Sequence, residues 1–83
     1  MVKVYTKENC PPCKATKRKL DKEGIAFEEV PLESTPGASD YIKSLGYMQA
    51  PVVITPEDSW SGYIPGKIVE LAAVRTPELI KEG

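Results

Sequence analysis

The chain has 83 residues, 41% of them hydrophobic and 28% charged, with a formal net charge of −1. That length holds one domain, residues 1–83, and the near-neutral balance gives no global case for nucleic acid or an anionic membrane surface as a partner. No apolar run approaches the roughly 20 residues that cross a bilayer. Lys3, Lys7 and Glu8 interrupt the N-terminal stretch where a signal peptide carries its apolar segment, so a cytoplasmic protein is expected.

Met1 to Tyr5 alternates apolar and polar residues and reads as a strand. After the loop Thr6–Asn9, a helix is predicted from Pro11 or Pro12 to about Glu23, with Cys13, Thr16 and Leu20 on one stripe and Gly24 as its C′ residue. Ile25 to Leu32 reads as a second strand, with Ile25 and Phe27 in the core. Thr35 and Pro36 look like the N-cap and N1 of a second helix that carries Tyr41, Ile42 and Leu45 and stops at Gly46. The β-branched run Val52–Ile54 predicts a strand covered on both faces. A turn at Pro56–Ser59, a short strand around Trp60 and a turn at Gly62 follow. A last helix begins near Pro65 with Ile68, Leu71, Ala72 and Val74 at helical spacing, and Thr76–Pro77 ends or restarts it. The order β-α-β-α-β-β-α predicts an α/β fold: a small four-stranded mixed sheet with helices on both faces. No long exposed apolar helix face calls for an obligate dimer, and a monomer is expected.

The two cysteines, Cys10 and Cys13, stand in the run Cys10-Pro11-Pro12-Cys13. A disulfide across so short a loop restrains little chain entropy, which makes it a poor scaffold staple. In a reducing compartment such a pair points to catalysis or metal binding. A structural zinc site takes four ligands, and this chain offers two cysteines and no histidine, so a zinc or iron–sulfur half-site would need a dimer or an added thiol. A redox-active pair fits the spacing and the β-α-β setting best. Cys10, ahead of the helix, is expected to be exposed and to attack; Cys13, one turn in, is expected to be more buried and to resolve the mixed disulfide. The helix terminus and the nearby Lys7 and Lys14 favour a thiolate. Pro11 and Pro12 remove two amide donors, which leaves the amides of Cys13 and Lys14 and the Cys13 thiol to stabilise it.

Beyond the cysteine motif, Val4-Tyr5-Thr6-Lys7, Ala15-Thr16-Lys17, Leu45-Gly46-Tyr47, Ala50-Pro51-Val52-Val53 and Trp60-Ser61-Gly62-Tyr63-x-Pro65 occur in register over most of the chain. Together they resemble the glutaredoxin-like branch of the thioredoxin fold, and more closely the NrdH-redoxins. The resemblance implies a dithiol protein disulfide reductase with no bound cofactor. By the same resemblance, its electrons would come from NADPH through thioredoxin reductase and go to the disulfide of a class Ib ribonucleotide reductase. It also implies that Lys7, Pro11, Pro12, Ala50, Pro51, Trp60, Ser61, Gly62 and Tyr63 border the partner, with Pro51 in the cis form and the Ala50 backbone facing Cys10. Trp60 also has a plain reading as a core residue. In glutathione-using glutaredoxins the Trp60–Tyr63 region carries a glycine pair and an acidic residue. The bulk of Tyr63, with no such acid after it, argues against tight glutathione binding. NrdH-redoxins usually place an apolar residue and glutamine between the cysteines. Here both are proline, and Pro11 matches the glutathione-linked proteins, which keeps a glutathione-dependent reductant as the alternative.

Overall fold

Alternating side chains on two short interior strands set the architecture. The computed structural model describes residues 2–75. Its elements are β1 (Val2–Thr6), α1 (Pro11–Lys22), β2 (Phe27–Pro31), α2 (Ala38–Ser44), β3 (Val52–Ile54), β4 (Ser59–Ser61) and α3 (Pro65–Arg75). The strands form one sheet in the order β2-β1-β3-β4. β1 pairs parallel with β2, Val4 opposite Glu29, and antiparallel with β3, Val4 opposite Val53 and Tyr5 opposite Val52. β4 adds antiparallel to β3, Trp60 opposite Val53.

Successive strand residues face opposite sides of a sheet, and here both sides are covered. Val2, Val4, Val53 and Trp60 join Leu20 of α1 and Ile68 of α3 in one cluster; Tyr5, Val30 and Val52 join Ala38 and Ile42 of α2 in another. Leu20 and Ile68 are fully buried, each burial contributing about 1.5–3 kcal/mol. The predicted α/β order and mixed sheet with helices on both faces are therefore those observed.

α1 begins at Pro11, and its buried stripe is Cys13, Thr16 and Leu20, as the spacing predicts. The buried Thr16 hydroxyl donates to the Pro12 carbonyl at 2.8 Å, so its polar atom is satisfied. The helix ends in a Schellman motif: Gly24 N–H bonds Asp21 O at 3.0 Å and Ile25 N–H bonds Leu20 O at 2.9 Å, with Gly24 at φ 74°. α2 ends the same way, Tyr47 N–H reaching Ile42 O at 3.0 Å past Gly46 at φ 93°. Only glycine takes these left-handed positions without a Cβ penalty.

Several boundaries differ from the sequence reading. Thr6, read as loop, ends β1, and Ser59, read as turn, begins β4. β2 starts at Phe27 rather than Ile25, because Ile25 is spent on the α1 cap; its side chain is buried all the same, and Phe27 packs against the cluster partly buried. At its other end β2 stops at Pro31, where a turn begins at Leu32. α2 starts at Ala38, and its N-cap is Gly37, not Thr35. Thr35-Pro36-Gly37-Ala38 forms a turn instead, with Ala38 N–H on Thr35 O at 3.1 Å and Gly37 at φ 81°, ψ −10°. Those angles at the third position, after a proline, define a type II turn. In α3, Ile68 is buried and Leu71 and Ala72 are partly so. Met1, the Val74 side chain and Thr76–Pro77 lie outside the described residues.

Candidate active site

Cys10 closes the β1–α1 loop as the N-cap of α1, and Cys13 is the third helical residue. They are joined by a disulfide. Asn9, just before, sits at φ 54°, a left-handed conformation that asparagine tolerates better than most side chains. That turn aims Cys10 back over the helix end, where the Cys13 N–H donates to its Sγ at 3.1 Å. Of the helix's first amides, Pro11 and Pro12 have none. The Lys14 N–H is taken by the Cys10 carbonyl at 3.1 Å. The expectation that Lys14 also serves the sulfur is corrected: its amide has entered the helix ladder. One donor remains for Cys10 Sγ, and it is well placed.

The expected exposure of Cys10 is also corrected. Cys10 is 3% exposed and Cys13 2%, so burial does not separate the two. The reason is the loop before β3, which packs across the sulfur and brings the Ala50 carbonyl oxygen to 3.9 Å from Cys10 Sγ. The Ala50–Pro51 peptide is cis and Pro51 is fully buried. Both cysteines still line an open cleft of about 270 Å³. What distinguishes them is capping: Cys10 receives the helix amide, so Cys10 is the sulfur whose negative charge the helix end stabilises.

The cleft's electrostatics are balanced. Its lining carries Lys7, Lys14 and Lys17 against Glu8, Glu29 and Glu33. Lys17 is committed, since its Nζ lies 3.0 Å from Glu29. The buried Thr6 hydroxyl donates to the same carboxylate oxygen at 2.8 Å. The Lys17 hydrogen bond, and after it that of Thr6, pull the Glu29 carboxyl below its usual range. Glu33 accepts the Glu8 N–H at 3.2 Å. Lys7 and Lys14 have no carboxylate partner among the described residues and stand nearest the cysteines in the chain. Nothing in the sequence singled out Glu29, because its role depends on the β1–β2 register, which sets it opposite Val4 and within reach of Thr6 and Lys17.

The Trp60–Tyr63 block divides. Trp60 is a core residue, 5% exposed, and is not part of the cysteine cleft; its β4 register opposite Val53 turns the indole inward. Ser61 and Gly62 hold the loop that covers Cys10. The Ser61 hydroxyl donates to the Gln49 carbonyl at 2.8 Å, and the Gly62 N–H donates to the Pro51 carbonyl at 2.7 Å. Tyr63 is exposed and lies against α1 beside Ala15, Arg18, Lys19 and Lys22, in a groove separate from the cysteine cleft. Pro11 and Pro12 are exposed at the helix end. The structure thus brings Lys7, Cys10 and Cys13 together in one cleft, sets the Ala50 carbonyl against Cys10, and places Pro51, Ser61 and Gly62 behind it.

Residues 2–60 match the glutaredoxin family. The chain is 40% identical over 70 residues to the glutaredoxin-like protein NrdH of Salmonella typhimurium, covering 84% of this chain and 86% of that one. It is 35% identical over 72 residues to NrdH of Lactococcus lactis, covering 87% and 100%. Among solved structures, the glutaredoxin-like NrdH-redoxin of Escherichia coli, which has a thioredoxin-like activity profile, superposes with a TM-score of 0.81 at 37% identity, covering 84% of this chain and 92% of that one.

Proposed function

The chain belongs to the glutaredoxin family as an NrdH-like thiol–disulfide oxidoreductase, and from that premise we propose that it reduces the disulfide of a class Ib ribonucleotide reductase in the cytoplasm, with electrons supplied by NADPH through thioredoxin reductase. The Cys10 thiolate, favoured by the Cys13 amide, attacks one sulfur of the partner's disulfide. The other partner sulfur leaves as a thiolate, and a mixed disulfide links the proteins. Cys13 then passes its proton to the departing thiolate and attacks Cys10 Sγ. The second partner sulfur is released and the Cys10–Cys13 disulfide forms. Thioredoxin reductase returns two electrons and two protons to the pair.

The observation that supports protein disulfides as substrates is the Ala50 carbonyl oxygen held 3.9 Å from Cys10 Sγ. That carbonyl is a backbone acceptor beside the reacting sulfur, of the kind to which a partner chain's N–H bonds. Tyr63, turned toward α1, leaves no built grip for the glutathione tripeptide after Gly62. Pro11 supports the second reading, a glutathione-dependent glutaredoxin, because the Cys-Pro start resembles those proteins. One assay separates the two. NADPH consumption is followed with a disulfide substrate in the presence of either thioredoxin reductase or glutathione with glutathione reductase. Turnover with thioredoxin reductase is expected. Turnover confined to the glutathione branch overturns the proposal in favour of the second reading.

A further inference from the structure

The cysteine cleft and the groove beside Tyr63 differ in charge. Three lysines meet three glutamates around the cleft. The groove, of about 270 Å³, is lined by Ala15, Arg18, Lys19, Lys22 and Tyr63, with no carboxylate in the lining. Positions 15, 18, 19 and 22 follow the i, i+3, i+4, i+7 rule and form one face of α1. Lys19 is paired with Glu23 at 3.0 Å. Arg18 and Lys22 are exposed and have no carboxylate partner among the described residues. The groove starts two residues past Cys13. Its other wall, Tyr63, follows Gly62, whose N–H bonds the carbonyl of Pro51, the residue after the Ala50 that faces the reacting sulfur. The groove's Tyr63 wall is therefore joined through Gly62 to the loop that holds Ala50 against Cys10.

We propose that this groove docks an acidic segment flanking the disulfide of the partner protein, Arg18 and Lys22 meeting its carboxylates and the Tyr63 ring covering its backbone. The occupant is set by charge complementarity: unpaired cations of one sign beside an exposed aromatic suit a chain bearing Asp or Glu, and arginine adds the bidentate geometry that carboxylates prefer. The cleft lining carries as many glutamates as lysines, so the charge of the partner is read here and the sulfur chemistry is done next door.

The proposal rests on the protein-disulfide reading above, and the test keeps the two apart. The fully reduced protein is mixed with synthetic peptides that carry one disulfide, flanked on either side by four aspartates, four serines or four lysines, and the rate of peptide reduction is measured. The acidic peptides are expected to react about tenfold faster than the serine peptide at low salt, the advantage shrinking as salt is raised. Arg18→Glu with Lys22→Glu is expected to abolish that advantage and leave the serine peptide as the baseline. The milder Arg18→Gln with Lys22→Gln pair, checked by circular dichroism, reports the same loss without charge reversal. Equal rates for all three peptides overturn the groove and leave the reductase reading standing. An acidic preference that survives in both variants belongs to Lys7 and Lys14 and likewise overturns it. No reduction of any peptide overturns the reductase reading itself.

Discussion

The Cys13 backbone N–H donates to the Cys10 Sγ at 3.1 Å, and it is the one amide at the α1 terminus free to do so. Pro11 and Pro12 bring none, and Lys14's is bonded to the Cys10 carbonyl. An N-cap side chain accepts from either N2 or N3, and Pro12 holds the N2 position. Pro12→Gln restores that donor. The pH at which the Cys10 thiolate forms is expected to fall, read from thiolate absorbance against pH. An unchanged value would mean that the added amide does not reach the sulfur.

Because capping rather than exposure separates the two sulfurs, the single-cysteine variants should behave differently. Cys13→Ser is expected to keep rapid alkylation at Cys10 and to accumulate a stable mixed disulfide with a peptide substrate, visible by mass spectrometry. Cys10→Ser is expected to lose both behaviours and all reductase turnover. A trapped adduct on Cys13 would reverse the assignment.

Asn9 at φ 54° makes the turn that delivers Cys10 to the helix end. A β-branched side chain in that region costs about 1–2 kcal/mol, whereas glycine occupies it freely. Asn9→Val is expected to lower stability in urea by about that amount, while Asn9→Gly stays within about 0.5 kcal/mol of the parent. Equal stabilities for the two variants would mean that the turn relaxes to another conformation.

Much of this arrangement was legible in the residues. Gly24 and Gly46 marked two helix ends, and the β-branched run 52–54 marked a strand buried on both sides, because those signals are local. The motif and its likeness to a known family located Cys10, Cys13 and the cis Pro51. What escaped the reading depends on through-space geometry. The burial of Cys10 comes from a loop forty residues away, packed against it through Ala50. Trp60 reads as either a site or a core residue, and the β4 register, which decides the face it joins, puts its indole in the core. Tyr63 stayed beside the site in sequence and turned to α1 in space. The α2 start was a local misreading: Pro36-Gly37 is a turn signal that outranks the Thr35 cap.

Glu29 ties the cleft wall together through Lys17 and Thr6. Its carboxyl is depressed below the ordinary 4.5, by the Lys17 hydrogen bond first and the Thr6 one next. A depressed carboxyl contributes stability that is full above its unfolded value and is lost as pH falls through the folded one. The Lys17 and Glu29 side chains are 31% and 40% exposed, so screening holds the pair to about 0.5 kcal/mol. Glu29→Gln keeps an acceptor for the buried Thr6 hydroxyl and removes only the charge. Its stability deficit in urea is expected at pH 7 and should close as the pH drops below the carboxylate range. Glu29→Ala also strands the Thr6 hydroxyl and is expected to lose about 1–2 kcal/mol more, without that pH dependence for the added part. A deficit in Glu29→Gln that grows on acidification would contradict the depressed carboxyl.

Ser61 acts on the site at one remove. Its hydroxyl holds the Gln49 carbonyl at 2.8 Å, next to the Ala50 whose own carbonyl faces Cys10. The bond is near the surface, so its loss in Ser61→Ala should lower stability by no more than about 1 kcal/mol. The consequence for function is larger if Ala50 must be held still to pair with a partner chain, because ordering a loose loop opposes binding. KM for a peptide disulfide is expected to rise about threefold to tenfold. The alkylation rate of Cys10 by a small reagent, which needs no backbone edge, should stay as it is. A parallel fall in alkylation would place Ser61 in the support of the sulfur itself, and an unchanged KM would remove it from the substrate edge.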